Sequence, residues 1–108
     1  MKLNQMDAET LKQKVIDTLQ TVYDPEIPVN IYELGLIYEV KIMPINNVEV
    51  LMTLTAPGCP AAQIIPVEVE QKIMQIEGVN EVLVSVVWDP PWDKSMMSEA
   101  AMLELGLL

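Results

Sequence analysis

The run Thr53-Leu54-Thr55-Ala56-Pro57-Gly58-Cys59-Pro60-Ala61 places the only cysteine of the chain between two prolines and a glycine. Its composition predicts a strand that passes through a tight turn into a helix. Proline is favoured at the first helical position, so Pro60 makes Cys59 the expected N-cap. Unpaired N–H groups and the positive end of the helix dipole would then face its sulfur. Thiols in such places have pKa values lowered from about 8.5 into a range of roughly 3.5 to 7.5. The resulting thiolate is both a nucleophile and a ligand for soft metals. The competing reading is a small buried apolar side chain, the usual state of a free cysteine. Pro57, Gly58 and Pro60 weigh against it, because they constrain the backbone around a position that needs no help merely to be buried.

The chain has no histidine, so a cysteine nucleophile would lack its customary base. Disulfide exchange would need a second thiol. One cysteine cannot fill the four sites of an ordinary cluster or a structural zinc. A metal held here would require carboxylates, a second subunit or a partner protein. Carboxylates are offered by Asp24-Pro25-Glu26, with simple turn chemistry as the alternative. A third candidate is Trp88-Asp89-Pro90-Pro91-Trp92-Asp93, where Trp88, Pro90, Pro91 and Trp92 form either a partner-binding corner or a cap on the sheet. Met96, Met97 and Met102 read as helix packing.

The elements that must position these residues follow from periodicity. Leu11, Val15, Leu19 and Val22 recur at helical spacing, predicting a helix over 8–23 with Asp7 as N-cap, a Met6–Leu11 staple, and an end forced near Asp24-Pro25. Residues 24–35 hold two prolines and a glycine and read as an ordered loop, longer than a plain connector needs. Leu36–Met43 and Val48–Thr55 alternate and predict a hairpin with one wet face, with Tyr38, Val40 and Ile42 on one side and Glu39 and Lys41 on the other. A second helix is expected from Pro60 or Ala61 to Gly78, kinked or broken at Pro66. Val82–Trp88 alternates as a third strand, and a short helix closes at Gly106. This αββαβα order predicts an α+β two-layer sandwich, a three-stranded sheet with helices on one face. No repeat or linker divides the chain, so 1–108 is expected to be one domain.

Composition excludes several functions. The chain of 108 residues carries 16 Asp and Glu against six lysines, a net charge of −10. Neither nucleic acid nor an anionic membrane suits such a surface. No stretch approaches a membrane span, and Met1–Asp7 lacks the features of a secretory signal, which predicts a cytoplasmic protein.

Taken together, Asp24-Pro25-Glu26-Ile27-Pro28 with Ile31 and Leu34-Gly35-Leu36, Thr53-Leu54-Thr55 with Gly58-Cys59-Pro60, and Trp88-Asp89-Pro90-Pro91-Trp92 resemble the SufT/PaaD-like family of iron–sulfur assembly proteins. The tail Met97–Gly106 is similar to the stand-alone bacterial SufT type. The resemblance implies a maturation factor rather than an enzyme, with a reactive thiolate at Cys59, an acidic loop residue at Glu26 beside Asp24, and Thr55, Gly58 and Pro60 supporting the turn. It also implies the αββαβ sandwich of the NifU C-terminal domain. The Cys-x-x-Cys pair of NifU-type scaffolds and the cysteine-rich extension of PaaD-type proteins are both missing here. The expectation is therefore no tightly bound cofactor, with iron or an iron–sulfur cluster as transient cargo. Expected partners are SUF-type assembly components and client apoproteins, with a homodimer as one way to complete the site. Rival readings are a metal-free adaptor that recruits clients and a single-cysteine thiol enzyme or redox sensor.

Overall fold

The computed structural model describes residues 7–24, 27–55 and 61–107. Helix α1 (Ala8–Leu19) starts where the Asp7 carboxylate accepts the Thr10 N–H at 2.9 Å, so the expected N-cap is present. Met6, the other half of the proposed staple, lies outside the described residues. Leu11, Val15 and Leu19 are buried along one face. The helix ends four residues before the predicted Tyr23. The Thr21 hydroxyl donates to the Thr18 carbonyl, and the Val22 carbonyl accepts the N–H of Ile31 at 2.8 Å. Once its carbonyl serves that contact, Val22 leaves the helix yet remains fully buried.

Strands β1 (Ile37–Met43) and β2 (Asn47–Met52) form the predicted antiparallel hairpin. Its register carries an irregularity between Ile37 and Glu39, because Ile37 pairs with Met52 and Glu39 with Leu51. Tyr38 is the extra residue, and a bulge of this kind redirects the side chain it contains. It does not continue the Val40–Ile42 row as expected; instead its hydroxyl donates to the Pro90 carbonyl at 2.7 Å.

Helix α2 (Ala61–Met74) runs through Pro66 without a break. The missing N–H forfeits one helical bond, while burial of Ile65, Val69 and Ile73 holds the helix against the sheet. It ends before Gly78, which occupies the following turn at φ +98°. Strand β3 (Glu81–Val86) pairs parallel to β2, giving the sheet order β1-β2-β3 with β2 central. It stops at Val86, two residues short of the predicted end at Trp88. A 3-10 turn (Lys94–Met96) and helix α3 (Glu99–Glu104, N-cap Ser98) complete the chain.

The inner face of the sheet, with Val40, Val48, Val50 and Met52, packs under α1 and α2 in one apolar core. Val82, Val84 and Val86 join it from β3. The opposite face carries Glu39, Lys41 and Glu49, as a half-solvated sheet should. The fold is thus the expected α+β arrangement. Among the described residues, no helix is long and apolar enough to cross a membrane.

Candidate functional site

Because β2 and β3 are parallel, the chain leaving β2 must cross through α2 to reach β3. Ligand sites in open sheets gather beyond the carboxyl ends of strands at such connections. The β2–α2 connection is also the segment that contains Cys59. Cys59, Gly58, Pro60 and Glu26 themselves lie outside the described residues, as does the proposed N-cap geometry, so the site is defined by what surrounds that connection.

Thr53 and Leu54 follow β2 and are buried, and Thr55 is half-buried. The Thr53 N–H donates to the Leu36 carbonyl at 2.8 Å, tying the β2 exit to the end of the 27–36 segment. The Thr53 hydroxyl is fully buried and finds no hydrogen-bond partner among the described residues. Burying such a group without a bond costs about 1–3 kcal/mol, so Thr53 is a polar group held in place at the mouth of the connection. Neither charge nor spacing singled it out in the sequence; the only signal was its place in Thr53-Leu54-Thr55.

Asp24 stands at the start of the long loop, 5% exposed and engaged with a neighbour. The Tyr23–Asn30 bridge and the Ile31 N–H to Val22 carbonyl bond close the loop's base. Val29, Ile31, Leu34 and Leu36 are buried. The loop is therefore part of the core as well as a carrier of acidic residues.

The proline–tryptophan corner divides. Trp88 is 42% exposed, and Pro90 and Pro91 are also exposed. Trp92 is half-buried and its indole N–H donates to the Leu34 carbonyl at 2.7 Å, so this tryptophan fastens the C-terminal segment to the loop. The Ser98 N–H adds a bond to the Glu33 carbonyl at 2.9 Å. Gly35 makes the approach possible: it lies at φ +83°, and a Cβ there would sit 2.3 Å from the Met96 carbonyl oxygen. The loop, the β2 exit and the C-terminal segment thus meet at one end of the sheet. Met97 is buried and Met96 and Met102 are half-buried, consistent with packing.

Among the described residues, no three acidic or thiol side chains converge on a common point suited to a metal. In the corner, hydrogen bonds from the Ser95 hydroxyl and N–H hold the Asp93 carboxyl below its ordinary value.

Comparison with known proteins adds the family. A model of the "iron-sulfur cluster assembly protein" family matches residues 12–86. An Fe-S protein maturation auxiliary factor of Porphyromonas gingivalis is 52% identical over 97 residues, covering 90% of this chain and 92% of that protein. The Fe-S protein maturation auxiliary factor YitW of Bacillus subtilis is 39% identical over 99 residues, covering 92% and 97%. A crystal structure of a domain of unknown function from Bacillus anthracis superposes with a TM-score of 0.87 at 40% identity, covering 97% of this chain and all of that one, 100%. The motifs, the sheet order and these matches agree, and the chain belongs to the iron–sulfur cluster assembly protein family, in its SufT/PaaD-like branch.

Proposed function

We propose that the chain is a maturation factor for iron–sulfur proteins in which the Cys59 thiolate takes transient part in handling iron or a cluster, with Asp24 and Glu26 as acidic support. Family membership supports the general role. The observation that carries the site is the buried Thr53 hydroxyl with no partner among the described residues at the β2 exit, six residues before Cys59 in the sequence, where the chain leaves the parallel pair for α2. A soft thiolate and hard carboxylates together suit an iron-containing cargo better than either set alone. With a single cysteine the chain supplies part of a coordination sphere; an assembly component of the SUF type or a client apoprotein supplies the rest, in the cytoplasm, and no group is held permanently. The chain acts as one domain, and its role is delivery rather than turnover of a small substrate.

The test is replacement of Cys59 by Ser and by Ala in a host that needs the protein. Cluster-dependent enzyme activities should fall to the level of a strain lacking it, with the variants present at normal abundance. Full activity in both variants would remove the thiolate from the mechanism.

The exposed corner around Trp88 favours a second reading, a metal-free adaptor. Anaerobic addition of ferrous iron and sulfide separates the two. Thiolate-to-iron absorbance that vanishes in Cys59→Ala belongs to the first reading, and a colourless protein that still binds clients to the second.

A further inference from the structure

The bare face of the sheet is not uniformly polar. At the end nearest the β2 exit, Tyr38, Leu51, Val87, Pro90 and Met96 line an open groove of about 680 Å³, within the range of roughly 300–1,000 Å³ common for binding sites. Among the described residues, two carboxylates, Glu39 and Asp89, border it and no lysine does. A smaller depression lined by Glu39, Lys41, Glu49 and Leu51 continues it along the sheet. The walls are secured from behind: the Tyr38 hydroxyl holds the Pro90 carbonyl at 2.7 Å and approaches the Met96 sulfur at 3.7 Å, and the Val87 N–H bonds the Met52 carbonyl at 2.8 Å. The groove is therefore preformed, which reduces the ordering cost of binding.

We propose that this groove receives a short segment of a partner protein in which a large apolar side chain adjoins lysine or arginine. The apolar floor takes the first, and Glu39 and Asp89 take the second. Charge decides among occupants. A second copy would bring its own net charge of −10 against an acidic rim, whereas a basic segment gains from the whole field of the protein. Leu51 stands two residues before Thr53 in the chain, so a segment held here lies near the β2 exit. That the partner is a client rests on the maturation reading; the groove and its chemistry do not.

The experiment titrates isotopically labelled protein, without iron or sulfide, with three capped pentapeptides: Gly-Lys-Leu-Lys-Gly, Gly-Glu-Leu-Glu-Gly and Gly-Lys-Gly-Lys-Gly. Backbone amide resonances report the location and strength of binding. The first peptide should shift Glu39, Leu51, Val87 and Asp89 and bind at least about tenfold more tightly than the other two, a difference of about 1.4 kcal/mol. In the E39Q/D89N variant, whose altered side chains are both exposed, the preference for lysine over glutamate beside the leucine should disappear while α1 and α2 resonances stay in place. Equal binding of all three peptides, undiminished preference in the variant, perturbation confined to other surfaces, or no perturbation at millimolar peptide would each overturn the proposal. So would concentration-dependent shifts of the same amides without peptide, which would give the groove to a second copy. Because no metal is present, failure here leaves the role of Cys59 standing, and failure of the cysteine test leaves the groove standing.

Discussion

The two ends of the sheet solve opposite problems. At the hairpin end, polar groups satisfy one another: the Asn46 amide donates to the Gly78 carbonyl at 2.9 Å, the Asn80 N–H to the Asn46 carbonyl at 2.9 Å, and the Asn80 amide to Asn47 at 3.0 Å. Asn46 adopts φ +57°, a conformation asparagine tolerates better than most residues. At the other end, the chain buries Asp24 and a Thr53 hydroxyl that lacks a protein partner among the described residues. It also presses the C-terminal segment onto Gly35. One end is arranged for stability, and the other accepts a local cost where chemistry is expected. The difference teaches that sheet register and site chemistry are insulated by the length of β2, which is paired on both sides.

Substitutions can break this contrast. The largest effect should come from Gly35→Ala, since the new Cβ would need both a left-handed backbone and space occupied by the Met96 carbonyl. Those two costs, of about 1–2 and 1–3 kcal/mol, predict a loss of more than about 2 kcal/mol in urea unfolding and a Tm lower by roughly 10 °C. A paired comparison follows. Asn46→Gly keeps the backbone conformation available but removes the bond to Gly78, and should destabilise by about 1 kcal/mol. Thr53→Val keeps the shape and removes a hydroxyl that no described residue pairs, and should be neutral or stabilise by up to about 1 kcal/mol. Midpoints shifting in the same direction by the same amount would show that the two ends do not differ as described.

The smallest effect concerns acid. The Asp7 carboxyl is held below its usual value of 3.8 by the Thr10 N–H, and Asp93 below 3.8 by the Ser95 hydroxyl and N–H. A depressed folded-state value means these caps stabilise fully above that pH and lose their contribution as pH falls through the lowered values. In NMR titrations, Asp7→Asn should remove the acid-side fraying of α1, and Asp93→Asn that of the 3-10 turn. Acid sensitivity unchanged in both would assign it to other carboxylates.

How much of this was legible in the sequence varies by element. The helical face of Leu11, Val15 and Leu19, the alternation of β1 and β2, and the valines of β3 all carry their burial in their spacing. The end of α1 was misplaced because Val22 has the right period for the helix, while the bond that takes its carbonyl comes from Ile31, nine residues away. Of the kink or break expected at Pro66, the break is absent: the local cost was visible, but the packing of Ile65, Val69 and Ile73 that keeps the helix continuous is tertiary. Tyr38 could not be placed because a bulge is a property of two paired strands, not of one. For the site, the residue types at 24, 26 and 59 raised the expectation of chemistry, and of these only Asp24 lies among the described residues. The buried state of Thr53 and the split between Trp88 and Trp92 depend on contacts with the 27–36 segment that no local pattern encodes.

The way the C-terminal segment is fastened has a bearing on how such a protein can diversify. Trp92 and Ser98 both grip main-chain carbonyls, those of Leu34 and Glu33, rather than side chains. Every residue type offers that acceptor. The anchoring therefore tolerates drift at exposed positions of the loop, and at half-buried Glu33 a change of side chain would forfeit only the 3.4 Å bond its carboxylate accepts from the Gln20 amide. Selection can vary the exposed side chains at this end of the molecule while the tail stays moored, provided residue 35 remains glycine.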